Sequence, residues 1–273
     1  MINFADVIQA PMRELQAFIS QGQFETPEDG HYAGVLLAFL KADEEELFEL
    51  AESSQHTQVK LLAALRHQII TNSVDSDLLE KLERLLPVTS DWQGEIAYTM
   101  GLAYLENDEH KHALRCFKMA NKRLWDIGAR KKAVKSLLNI VLTEARSAQT
   151  QRGVAGFEFV KEKAVEVGDD VLTGICFYHI SKEYFKNQDY DLALNSSNQA
   201  LDVLSADRGT PYFYEALVQR GQTYLKLGRS QEAMIDLQAA KATRHLHIQD
   251  ALKAMEKLVS ALNGKDSGHS KQA

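Results

Sequence analysis

The chain has 273 residues, with 31 basic against 38 acidic side chains and a formal net charge of −7. This acidity excludes a general nucleic-acid binder. No run of about 18 apolar residues suggests a membrane span, and the opening MINFADVIQAPMRELQAFIS lacks the basic start of a signal peptide and carries Asp6. Four prolines, 15 glycines and abundant Ala, Leu, Glu, Lys and Gln make a helix-forming composition. The two cysteines, Cys116 and Cys176, lie on apolar helical stripes and read as reduced core residues of a cytoplasmic protein.

Taken in order, residues 2–20 form an amphipathic helical stretch. Phe4, Val7, Ile8, Met12, Leu15, Phe18 and Ile19 recur at helical spacing, and Pro11 either kinks the helix or starts a second one. Such a stretch caps the first repeats or, as a self-association helix, makes a homodimer. A membrane-surface helix would normally be basic on its polar face. Residues 21–30 read as a loop. Helical runs follow at about 31–41, 43–53, 57–72 and 75–87. The acidic Asp43-Glu44-Glu45-Glu46 is helix-start chemistry, because carboxylates in a first turn complement the helix dipole. Pro87 ends the last of these runs, and Ser90-Asp91-Trp92-Gln93 has the spacing that starts another helix.

A period then becomes visible. Gly101, Ser181 and Gly221 are 80 and then 40 residues apart, and the same spacing relates Tyr104, Tyr184 and Tyr224. It recurs in Ala113, Ala193 and Ala233, and in Ala120, Ala200 and Ala240. The register at about 134–168 keeps the length and helical pattern but loses the small-residue signature. Gly128 and Gly168 terminate the second helices of successive units, and Thr210-Pro211 opens a further helix. A helix–turn–helix unit repeated at fixed phase predicts an all-α fold, an α-solenoid of stacked antiparallel pairs, since one pair cannot bury its own apolar faces.

The positions Gly101/Tyr104/Ala113/Phe117/Ala120, Tyr184/Ala193/Ala200 and Gly221/Tyr224/Ala233/Ala240 resemble the tetratricopeptide repeat in a 40-residue-period variant over about 94–245. The resemblance weakens over 22–90. It implies a right-handed superhelix whose first helices line a concave groove. It divides the chain into divergent N-terminal helices at 1–90, a repeat array at 91–247, and a helix with the start of a further, truncated repeat expected at 248–273. With Gly94, Val134, Gly174 and Tyr214 as repeat starts, the lining positions include Glu95, Thr99, His179 and Gln219. The expected partner-binding residues are Tyr98, Lys135, Asn139, Arg146, Tyr178, Lys182, Phe185, Lys186, Gln222 and Lys226.

These basic and aromatic positions on an acidic chain point to a protein or peptide partner of acidic or amphipathic character, or to another domain of the same polypeptide. No membrane, nucleic-acid or cofactor partner is expected. His110-x-His112 and His245-x-His247 do not share a helical face and lack ligands at metal spacing. No phosphate loop, dinucleotide fingerprint or nucleophile motif occurs, so no catalytic, cofactor or metal residue is assigned. The leading expectation is a non-catalytic interaction scaffold. The alternative is the sensory region of a longer bacterial signalling protein, with an output such as a GGDEF diguanylate cyclase or a histidine kinase.

Overall fold

The computed structural model describes residues 1–86, 91–146, 153–208, 210–241 and 252–253. Its named elements are helices: α1 (Phe4–Gln9), α2 (Met12–Gln21), α3 (Pro27–Lys41), α4 (Glu44–Ser53), α5 (Thr57–Ile70), α6 (Ser76–Leu85), α7 (Gln93–Glu106), α8 (His110–Asp126), α9 (Arg130–Arg146), α10 (Gly153–Glu166), α11 (Asp170–Lys186), α12 (Tyr190–Leu204), α13 (Pro211–Lys226) and α14 (Ser230–Ala240). Two compact units divide them, Met1–Gln151 and Arg152–Ala273. These units follow contacts, whereas the sequence boundaries follow the strength of the repeat signature. The fold is an α-solenoid of antiparallel helix pairs, α7/α8, α11/α12 and α13/α14 being the clearest.

Local chemistry sets the ends of the helices. Asp43 accepts the Glu46 N–H at 3.0 Å, so the acidic cluster is a helix start. Pro11 begins a second helix rather than kinking one. The stretch expected to be a loop at 21–30 is shorter than that. Thr26 and Asp29 cap each other reciprocally at 3.2 Å and Pro27 occupies the first helical position, so α3 starts four residues earlier than periodicity suggested. Thr210-Pro211 starts α13, although the Thr210 side chain makes no cap bond. Pro87 and Ser90 lie outside the described residues, as does most of the expected terminal helix and further repeat.

The periodic small residues are where the helices of each pair meet. All six alanines of the two periodic sets are fully buried. A Cβ on Gly101 would lie 2.6 Å from the Phe117 ring. The same lock occurs twice with an 80-residue offset, Gly94 against Leu124 and Gly174 against Leu204. Ser181 stands at the Gly101 register. Its hydroxyl hydrogen-bonds Ala193 O at 2.8 Å and Ser197 Oγ at 2.6 Å, which satisfies the polar group inside the pair. Gly128 and Gly168 end α8 and α10 in the left-handed region, at φ 80° and 65°.

In the first unit, α1 packs on α3 and α9, while α2 packs separately on α3. Phe4, Val7, Ile8 and Leu15 are buried, and Met12 and Ile19 remain partly exposed. Both cysteines are buried, and burial pushes the Cys116 thiol up to about 11 and the Cys176 thiol up to about 12. No helix among the described residues is long and apolar enough to cross a membrane.

Candidate functional site

The first unit closes its inner side around one carboxylate. Val59, Leu62, Ala63 and Arg66 share one stripe of α5, so Arg66 is carried into the interior by an otherwise apolar face. Glu95 is carried in by α7, Tyr32 by α3 and Lys132 by α9. Glu95 Oε1 accepts from Tyr32 O–H at 2.6 Å and from Arg66 Nη2 at 2.5 Å. Arg66 also donates to Tyr32 Oη and to Thr99 Oγ1, each at 3.1 Å. Lys132 Nζ lies 2.6 Å from Glu95 Oε2 and 4.8 Å from the Tyr98 ring centre. Arg66, Glu95 and Lys132 are 2%, 0% and 7% exposed.

Two cations therefore surround one anion. Burial opposes the Glu95 charge, but Lys132 and Arg66 outweigh it and hold its pKa below the ordinary 4.5. Lys132 is the surplus charge. Burial strips water from its ammonium, Glu95 only partly compensates, and its pKa falls from 10.5 to about 8. Between those values the unfolded chain holds a proton that the folded chain lacks, so this group's contribution to stability rises with pH across that window. Lys132→Met removes the surplus charge and should stabilise the first unit by about 1–2 kcal/mol at pH 7. That advantage should shrink as pH rises from about 8 towards 10.5. Urea unfolding at several pH values checks this. The difference between the two proteins is the quantity to follow, because the raised Cys116 and Tyr104 groups lower the stability of both chains in alkali.

Four expected partner-binding residues fall in this unit. Tyr98 is 5% exposed. Its ring meets Phe117 and its oxygen accepts from Asn139 Nδ2 at 3.4 Å, so it is built into the core. Asn139 is half-buried, and Lys135 and Arg146 on the same helix are exposed.

The other six fall in the second unit, on neighbouring stripes of α11 and α13. Residues 178, 182, 185 and 186 share one face of α11, and 215, 219, 222 and 226 share one face of α13. Tyr178 joins the two: it is 6% exposed, meets the Tyr212 ring edge-on, and hydrogen-bonds Glu215. Burial first, and then Glu215, push its phenol far above the ordinary value. Lys182 sits 5.2 Å from the Tyr178 ring centre, and Lys186 pairs with Glu183. Phe185 and Gln222 are half-buried and Lys226 is exposed.

Thr99, Asn139, His179 and Gln219 share one register, 40 residues apart. In the first unit Thr99 and Asn139 are bonded internally. In the second, Gln219 is 7% exposed and its Nε2 has no hydrogen-bond partner among the described residues. That nitrogen is itself closed off from solvent, so the polar groups this face offers a partner are those of Gln222, Lys182, Lys186 and Lys226. The Arg66–Glu95–Lys132 cluster was not foreseen from sequence. Its available signal was a charged residue recurring on a buried stripe.

Residues 214–242 match the tetratricopeptide repeat family. No curated protein gives a significant match to the sequence. Among solved structures, the chain is similar to a signal transduction ATPase with numerous domains and a tetratricopeptide repeat sensor, from Pyrococcus horikoshii. The TM-score is 0.70 at 14% identity, over 93% of this chain and 41% of that one. The chain thus spans about two fifths of that protein's length. It is also similar to the apo quorum sensor NprR from B. thuringiensis, with TM-score 0.63 and 17% identity over 90% of this chain and 74% of that one. NprR in complex with its cognate peptide NprX gives 0.55 and 16%, over 92% and 80%. At these identities the likeness is one of fold.

Proposed function

We propose that this tetratricopeptide-repeat chain is a non-catalytic scaffold that holds a peptide or partner segment against the α11/α13 face of its second unit. The observation that carries this reading is the basic and aromatic stripe of Lys182, Phe185 and Lys186 on α11, set beside Gln222 and Lys226 on α13. An extended or helical segment laid there would offer a backbone or side-chain carbonyl to Gln222 and acidic groups to the lysines. The peptide complex of NprR supports the general mode for a chain of this fold.

The test uses fluorescent peptides of graded charge and the intact chain. Lys182→Glu with Lys186→Glu should weaken binding of acidic amphipathic peptides by about tenfold or more, with helicity unchanged. Gln222→Leu should weaken it about fivefold, one hydrogen bond's worth. Unchanged affinity in both variants would remove this face from consideration.

A second reading draws support from the span of the Pyrococcus horikoshii likeness, in which a chain of this size matches part of a longer signalling protein. On it, the repeats form the sensory region of a bacterial signalling protein, and the partner segment belongs to an output domain of the same polypeptide. Adding an isolated output domain in trans and measuring capture by the α11/α13 face distinguishes the two.

A further inference from the structure

The first unit contains a helix seated as a ligand would be. Six-residue α1 packs chiefly on α3 and α9. Phe4 meets the Tyr32 ring at 6.1 Å and the Trp92 ring at 4.2 Å, and Val7 and Ile8 are buried beside it. Extended backbone flanks the helix on both sides, at Asn3 and at Ala10-Pro11. The segment is thus jointed at each end. A helix this short is marginal unaided, so the reciprocal cap between Asn3 and Asp6 and the packing against the site hold it together.

Charge also matches. The first turn of α9 carries Arg130, Lys131 and Lys132 with no acid, which is unfavourable next to a helix N-terminus. The C-terminal end of α1 approaches there, and Gln9 Oε1 accepts the Lys131 N–H at 3.4 Å. The carbonyl end of one helix meets the cationic start of another. α1 has no basic residue in its last turn to spoil this. Its remaining ties are backbone bonds at Ile2, which donates to Gln23 O at 2.7 Å and accepts from Glu25 N–H at 2.9 Å.

The geometry points to α1 as a self-ligand, an internal stand-in for an amphipathic helix of a partner protein that docks on α3, α9 and Trp92. That partner helix carries an aromatic residue followed three and four positions later by aliphatic ones, and an uncharged or acidic last turn. This site is distinct from the α11/α13 face and does not rest on the function proposed for it.

The test uses a fluorescein-labelled peptide of residues 1–10 and the full chain. Phe4→Ala with Ile8→Ala in the chain loosens the internal helix and should tighten binding of the peptide at least tenfold over the unmodified chain. The same two substitutions in the peptide should abolish binding, and Gln9→Glu in the peptide should strengthen it severalfold at low salt. A folded double variant that binds no better than the unmodified chain would overturn the inference. Hydrogen exchange on the unmodified chain gives an independent readout. Residues 3–9 should exchange much faster than α3 and α9, and equal protection would make α1 ordinary core. Dimers of the unmodified chain that vanish in the double variant would overturn the partner helix in favour of a second copy.

Discussion

Glu95→Ala should destabilise the first unit by about 3–5 kcal/mol, because it leaves Arg66 and Lys132 buried with no anion. Both tryptophans, Trp92 and Trp125, lie in that unit, so tryptophan fluorescence in urea reads its unfolding without interference from the second. The loss should be smaller when Lys132→Met is already present, since one stranded cation then remains instead of two. Acid should act in the same direction. The folded Glu95 pKa is depressed, so its stabilisation is fully present above the ordinary 4.5 and is lost as pH falls through the folded value. An alanine variant that unfolds at the same urea concentration as the unmodified chain would show that the cluster contributes nothing.

Phe117→Ala should also cost about 3–5 kcal/mol, because Phe117 is fully buried and its ring lies against Gly101. Gly101→Ala alone places a Cβ 2.6 Å from that ring, and the resulting displacement should cost about 1–3 kcal/mol despite the better helix propensity of alanine. The double variant is the informative one. With the ring gone, the new methyl fills part of the cavity and the helix gains alanine in place of glycine. The pair should therefore be more stable than Phe117→Ala alone. Additive losses would mean that Gly101 is needed for backbone conformation and not for the close approach of α7 and α8.

The repeat was readable because its cause is local. Close approach of two helices needs a small residue at a fixed place in each pair, and the same place recurs. Gly101, Ala113 and Ala120 could be recognised from their later copies before any contact was known. The helix starts at Asp43 and Pro211 were readable for the same reason, since a cap acts within one turn. The start of α3 was misplaced because Thr26, Pro27 and Asp29 are polar or turn-forming residues, and their pattern resembles a loop unless the reciprocal cap is recognised.

The candidate surface was legible only in part. Sequence spacing places Lys182, Phe185 and Lys186 on one stripe of α11, and Gln222 and Lys226 on one stripe of α13. It does not say which members of such a stripe stay exposed. Tyr98 and Tyr178 occupy the same register, and both are consumed by packing and hydrogen bonds within their own units. Which side chains the interior claims depends on how closely non-neighbouring first helices come together.

The sequence by itself determined the all-α class, the pairing of helices and the phase of the repeat, because small residues, caps and periodicity act over one or two turns. Only the tertiary structure decided that Tyr32, Arg66, Glu95 and Lys132, drawn from four separate helices, meet inside the first unit. It also decided that α1 rests on α9, more than a hundred residues away, and that Gln219 is buried with its Nε2 unpartnered among the described residues. Each of these depends on distances between groups remote in sequence, and no local pattern encodes such distances.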